Sequence, residues 1–148
     1  MKEGLTKKDM AACADCACFN VRKAARVITQ TFDEIMQPSG VRATQFTILV
    51  MLASSDAATL SELADKLVMD RTTLTRNLRP LQKQGLIKGV TGADRRTRSI
   101  SLTSKGFKVV LKALPLWKKA QARIARYLGA QRFAGLLSEL RSFEGLSA

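Results

Sequence analysis

Hydroxyl and guanidinium side chains recur at helical spacing in the segment between Asp70 and Gly85. Successive helical residues lie about 100° apart, which puts Leu74, Leu78 and Leu81 on one side of a helix. The opposite side would carry Thr72, Arg76, Arg79 and Lys83, flanked by Thr73 and Thr75. Guanidinium groups bind guanine edges bidentately, threonine methyls contact thymine, and both side chains can hold phosphates. This side therefore suits the major groove of double-stranded DNA, although an ordinary basic surface helix would show the same pattern.

A second basic cluster, Arg95, Arg96 and Arg98, lies in or beside a polar stretch between two strand-like segments. Arginines near a hairpin tip are free to extend, and a narrow A·T-rich minor groove attracts them. Asp94 would be repelled by phosphate, and we expect it to orient Arg96. A merely solvated turn is the alternative.

Three cysteines, Cys13, Cys16 and Cys18, crowd near the start of the chain. As a zinc site they lack a fourth ligand, because the chain has no histidine and Asp15 or a partner chain would have to serve. As thiols near a helix they are a possible redox sensor. In a third interpretation Cys18 continues an apolar core stripe, while the other two fill a helix start. We predict no metal site and no cofactor.

The charge of the chain is strongly basic, with 25 Lys and Arg residues against 12 Asp and Glu, a net +13. Residues 70–108 alone carry ten basic and two acidic side chains. Such a balance favours a polyanionic partner. Without histidine, paired carboxylates, a glycine-rich phosphate loop or a nucleophile with a base, we expect no enzyme. Charge alone also fits a non-specific nucleic-acid-binding protein.

The N-terminal residues show no signal peptide, and the longest uncharged stretch, residues 43–55, is too short to cross a bilayer. The odd number of cysteines is unlike a secreted disulfide framework. We therefore expect a cytoplasmic protein with no membrane partner.

The centre of the chain is predicted to form a winged helix-turn-helix, a mainly α fold with a small β-hairpin wing. The predicted elements are a buried helix over 43–53, a short helix opened by a Thr59–Glu62 capping box, a turn at Val68-Met69, a helix over 71–84 capped by Asp70 and ended by Gly85, and strands over 86–90 and 98–102. Pro80 is expected to bend this second helix without breaking it.

Long amphipathic helices are predicted at both ends of a single domain of residues 1–148. The first runs from Ala11 to Met36 and ends at Pro38-Ser39-Gly40; the second begins at Thr103-Ser104 and is interrupted at Gly129. One lobe cannot cover their apolar stripes, so we expect a homodimer. The dimerisation helices would span about 11–37 and 104–146, and the DNA-binding lobe about 42–103.

Four ordered motifs resemble the MarR family of bacterial transcriptional regulators: residues 70–78 (DRTTLTRNL), 81–87 (LQKQGLI), 94–96 (DRR) and 101–106 (SLTSKG). The resemblance covers about residues 20–125. It implies a homodimer on a pseudo-palindromic operator, acting as a repressor that is released by a small aromatic or phenolic ligand or by thiol oxidation. Such ligands would bind between the dimerisation helices and the lobes.

The motif match implies wing roles for Asp94 and Arg96 and groove-facing roles for Thr72, Thr73, Thr75 and Arg76. The full set of predicted DNA-binding residues is Ser61, Arg71, Thr72, Thr73, Thr75, Arg76, Arg79, Lys83, Asp94, Arg95, Arg96 and Arg98. Some peroxide-sensing relatives pair a reactive cysteine with tyrosines, whereas this chain has only Tyr127. Trp117 is expected in the core rather than in a ligand site.

Overall fold

Seven α-helices and a three-stranded sheet form the part of the chain that the computed structural model describes: residue 4 and residues 6–55, 57–91 and 98–147. The sheet has the order β1-β3-β2 and is antiparallel throughout. A mainly α fold with a small β-hairpin wing is confirmed. Within the described residues no helix has the length and apolar character needed to cross a membrane.

The N-terminal helix predicted from Ala11 is wrong in its continuity. Two helices, α1 (Lys7–Ala14) and α2 (Ala17–Met36), meet at a break where Cys16 has an extended backbone. The side-chain amide of Asn20 donates to the carbonyls of Ala14 (2.8 Å) and Cys16 (3.0 Å), so it bridges the end of α1 and the start of α2. Apolar periodicity does not predict such side-chain hydrogen bonds to the backbone.

The chain turns after α2 through a short 3₁₀ segment, Gln37–Ser39, and Gly40, whose φ of 81° favours glycine. The next helix, α3 (Ala43–Ala53), buries Phe46, Ile48, Leu49 and Leu52, as its apolar composition predicted.

The helix-turn-helix consists of α4 (Leu60–Leu67) and α5 (Arg71–Lys83). The predicted capping box at the start of α4 is present: the Glu62 amide donates to the Thr59 hydroxyl, and the Thr59 amide donates to the Glu62 carboxylate. At its end Val68 adopts a left-handed conformation with φ 50°. This single residue turns the chain from one helix to the next.

The wing strands β2 (Ile87–Thr91) and β3 (Arg98–Leu102) pair with Ile87 opposite Leu102 and Thr91 opposite Arg98. A two-residue strand, β1 (Ala58–Thr59), adds to the other edge of β3 and was not predicted, because two residues show no periodicity.

The C-terminal helices are α6 (Ser104–Leu128) and α7 (Ala130–Ser142), followed by a 3₁₀ segment, Phe143–Ser147. Gly129 separates them, as predicted. The Thr103 hydroxyl accepts from the Gly106 amide and donates to the Gly85 carbonyl at 2.7 Å, so the start of α6 is fixed to the end of α5. The largest fully buried side chains are Met36, Ile48, Leu49, Leu52, Leu63, Leu74 and Leu81.

Candidate nucleic-acid interface

Helix α5 begins at Asp70, whose carboxylate accepts from the Thr73 amide at 2.8 Å and from the Thr73 hydroxyl at 2.6 Å. The hydroxyl bond, and after it the amide bond, hold the pKa of Asp70 below its usual range. The predicted cap is therefore present and is charged at neutral pH. It fixes where α5 starts.

The inward side of α5 is the predicted leucine stripe: Leu74 and Leu81 are fully buried and Leu78 nearly so. The predicted outward residues Thr72, Arg76, Arg79 and Lys83 are all exposed, as are Arg71 and Thr75. The angular position predicted for this helix is thus confirmed.

Five of the predicted residues line one shallow concave surface of about 330 Å³ on the outside of α5: Arg71, Thr72, Thr75, Arg76 and Arg79. Three guanidinium groups and two hydroxyl-bearing side chains share this surface, and none of its described lining residues is acidic. Lys83 is on the same helix but does not line it. We call this the recognition face.

The threonine hydroxyls differ in the hydrogen-bonding capacity that remains for a binding partner. Thr73 is half-buried and donates to Asp70, so its first role is in the cap. The Thr75 hydroxyl donates to the Arg71 carbonyl at 2.7 Å, which leaves its oxygen lone pairs and methyl group for a partner. Ser61 is half-buried in the first turn of α4 and does not line the recognition face.

The wing residues Asp94, Arg95 and Arg96 lie outside the described residues. Of Arg98 the structure describes the backbone, which pairs with Thr91 at the start of β3. Their roles stay predictions.

Pro80 does not interrupt α5, which continues through it to Lys83. The Pro80 carbonyl accepts from the Gln84 amide at 3.0 Å, so regular bonding continues beyond the ring.

All three cysteines are exposed free thiols at the α1–α2 break. Cys13 lies in the last turn of α1, Cys16 directly precedes α2, and Cys18 belongs to the first turn of α2. The expectation that Cys18 continues the core stripe is wrong for the single chain, because the first half of α2 is exposed throughout. Among the described residues no three His, Cys, Asp or Glu side chains are grouped to hold a metal ion.

Two apolar cavities lie away from α5. One, of about 280 Å³, lies between α3 and α6 and is lined by Phe46, Thr47, Val50, Met51, Leu114 and Trp117. Trp117 also packs against Phe46 with ring centroids 6.2 Å apart, so it is partly core, as expected, and partly cavity wall. The other, of about 430 Å³, lies between α2 and the ends of α6 and α7.

Sequence reasoning missed a polar cleft beside α5 that Arg42 and Arg76 both line. Residues 38–69 have two basic and three acidic side chains, so the charge distribution gives no indication of an anion site at Arg42. Its only signal was the position of a basic residue directly before the predicted α3.

Comparison with known proteins gives the same fold and the same family. A MarR family model matches residues 41–96. The Mycobacterium tuberculosis transcriptional regulator MosR, solved in complex with DNA, is 39% identical with a TM-score of 0.73, and the match covers 86% of this chain and 96% of MosR. The chain belongs to the MarR family. It is therefore a winged helix-turn-helix member of a family of DNA-binding transcriptional regulators.

One further solved structure and one curated relative extend the comparison. The transcriptional repressor CouR, bound to a 23-mer DNA duplex, shares the fold with a TM-score of 0.81 at 23% identity, over 91% of this chain and 96% of CouR. The organic hydroperoxide resistance transcriptional regulator of Bacillus subtilis is 27% identical over 67% of this chain and 68% of its own length. Matches to the curated relatives span 54% to 68% of their lengths.

Proposed function

We propose that this MarR-family chain is a sequence-specific regulator that binds double-stranded DNA as a homodimer, with α5 in the major groove. The observation that carries the proposal is the recognition face, where guanidinium and hydroxyl groups stand opposite a fully buried leucine stripe. Arg76 and Arg79 would bind guanine edges or phosphates, and Thr72 and Thr75 would contact thymine methyls or phosphates. Arg95 and Arg96 would enter the adjacent minor groove.

Exposed apolar side chains on the terminal helices support the homodimer. They include Phe19, Val27, Tyr127, Leu140 and Phe143. Val27 and Tyr127 line the same apolar groove between α2 and α6, and a contiguous exposed apolar surface marks an interaction site. A second copy would cover them and would set two α5 helices about 34 Å apart, one turn of DNA. Light scattering should then give twice the 16.2 kDa chain mass.

The effector would be a small aromatic or phenolic compound in the α3–α6 cavity. This cavity is apolar, lies between a terminal helix and the lobe, and has aromatic rings on both helices. Trp117 is the only tryptophan of the chain, so its fluorescence reports on occupancy. Titration with benzoate, 4-hydroxybenzoate and phenol should quench it for at least one compound. That same compound should weaken DNA binding.

Thiol oxidation is the second releasing signal we propose. The three thiols are exposed at the break that joins α1 to α2, next to the proposed dimer helices. The name of the Bacillus subtilis relative associates that protein with organic hydroperoxides. With cumene hydroperoxide as oxidant, two thiols would form a disulfide while the hydroperoxide is reduced to its alcohol and water. An oxidant that changes neither thiol content nor DNA affinity contradicts this.

Selection from random duplexes tests the proposed function. A sequence-specific dimer should enrich a two-fold symmetric site whose halves are one helical turn apart. A non-specific basic protein, the alternative, should enrich none and should show only a steep salt dependence. Repression, as opposed to activation, is tested by placing the selected site over a promoter and measuring transcription with and without the protein.

A further inference from the structure

A polar cleft of about 470 Å³ lies between the N-terminal end of α3 and the flank of α5. Residues from the turn before α3, from α3 itself and from α5 line it: Gly40, Arg42, Thr44, Gln45, Ile48, Arg76, Asn77, Pro80 and Gln84. We call it the Arg42 cleft.

The side chains of the Arg42 cleft are chemically suited to an anion. Two are guanidinium groups and four more carry a hydroxyl or a side-chain amide, while none of the described lining residues is acidic. The nearby Asp33 carboxylate is bound to the Ala43 amide at 2.7 Å and does not line the cleft. The net charge of the lining is therefore positive.

One donor of the cleft, Gln45, is held in place by the local structure. Gln45 accepts from the Arg42 amide through its side-chain oxygen at 3.0 Å, so its amide nitrogen remains as a donor. Arg42 itself is exposed. Pro80 contributes a rigid ring on the α5 side of the cleft.

Arg76 lines both the Arg42 cleft and the recognition face. The two surfaces are therefore adjacent, with the cleft on the side of α5 that faces α3. A helix with its side chains is about 10–12 Å across and the major groove is about 12 Å wide. A helix in the groove fills it, so groups just beyond its flank meet the sugar–phosphate backbone rather than base edges.

We propose that the Arg42 cleft holds a backbone phosphate of the bound DNA, with Arg42 and the Gln45 amide as its donors. This rests on the proposed function, since it assumes α5 in the major groove. The phosphate contact carries no base information; it fixes the position of α5 along and across the groove. Arg76, which lines both surfaces, would then lie between this phosphate and the base edges.

The test is Arg42→Ala in the full chain, with binding to the selected duplex and to a scrambled duplex measured between 50 and 200 mM salt. The slope of log affinity against log salt is negative, and loss of one phosphate contact per protomer should make it shallower by about 0.9 per cleft, or about 1.8 per dimer. Affinity should fall by the same factor on both duplexes. Gln84→Glu puts a carboxylate into the cleft. At low salt it should weaken the binding of the parent chain to both duplexes.

Arg141→Ala is the matched control, because it removes the same charge from an exposed site on α7 and should leave the slope unchanged. Arg42→Lys should retain the slope. Melting curves of each variant show whether the fold is intact.

Two results overturn the inference. A slope for Arg42→Ala equal to that of the parent chain shows that no phosphate is held, and a changed base preference shows that Arg42 reads bases. If the parent chain itself does not distinguish the two duplexes, the proposed function fails instead.

Discussion

The carboxylate of Asp33 in α2 accepts a 2.7 Å hydrogen bond from the backbone amide of Ala43, the first residue of α3. A residue ten positions earlier thus caps the buried helix of the DNA-binding lobe. A negative charge at a helix N-terminus is also favoured by the helix dipole. The bond connects a proposed dimerisation helix directly to the lobe.

Replacing this carboxylate should weaken the connection. Asp33→Ala leaves the Ala43 amide without its acceptor and should lower the free energy of unfolding by about 1–2 kcal/mol. Urea denaturation measures the change. Asp33→Asn keeps a side-chain oxygen and should recover most of the loss; equal stability of the parent and Asp33→Ala would contradict the cap.

The turn between α4 and α5 contains a strained residue that tolerates replacement. Val68 has φ 50°, a left-handed conformation that is unfavourable for a branched side chain. The side chain is 73% exposed, so its removal costs little packing energy. Val68→Asn should raise the free energy of unfolding by about 1 kcal/mol, because asparagine accepts this conformation. Thermal melts measure it. Val68→Ile keeps the branched Cβ and should give no gain.

The junction of α6 with the end of α5 has no room for a side chain at Gly106. A Cβ there would overlap the Leu86 carbonyl and press on the Leu102 side chain. Gly106→Ala should therefore lower the free energy of unfolding by about 1–3 kcal/mol. Gly135→Ala in α7, where a Cβ would meet nothing, is the matched control and should stabilise by about 0.5–1 kcal/mol. The same sign for both variants would contradict the packing described.

Acid should weaken the helix-turn-helix through its capping carboxylates. Bonds from Thr59 to Glu62 and from Thr73 to Asp70 lower the pKa of both acids. A lowered folded-state pKa gives stability that is complete above the ordinary carboxyl pKa of about 4 and is lost as the pH falls through the lowered values. Melting temperatures measured from pH 7 to pH 3 should fall less for Asp70→Asn, whose capping oxygen does not titrate. If the melting temperature of Asp70→Asn falls with pH as steeply as that of the parent chain, the Asp70 cap contributes nothing to the pH dependence.

The features that sequence predicted are those that depend on near neighbours. The Thr59–Glu62 box, the Asp70 cap and the stripe of Leu74 and Leu81 all lie within a few residues, where side-chain chemistry and helical periodicity decide the outcome.

The features that the sequence did not predict are contacts between distant segments, and polar contacts that show no regular spacing along the chain. Arg42 and Arg76 are 34 positions apart and line one cleft only in the folded chain. The hydrogen bond from Ala43 to Asp33 and that from Asn20 across the α1–α2 break likewise join separate elements. The interpretation that places Cys18 in the core rests on an apolar stripe, and apolar periodicity does not distinguish a core from a surface that another chain covers.

Competition titration of a selected duplex against its scrambled counterpart measures whether α5 reads base sequence. The parent chain should prefer the selected duplex by a factor of roughly 10³ or more at physiological salt. Arg76→Ala should lose about 1–3 kcal/mol of affinity on the selected duplex and relax base preference within each half-site. Arg96→Ala should weaken binding with little change in major-groove preference. Equal affinity of the parent chain for the two duplexes would contradict the account.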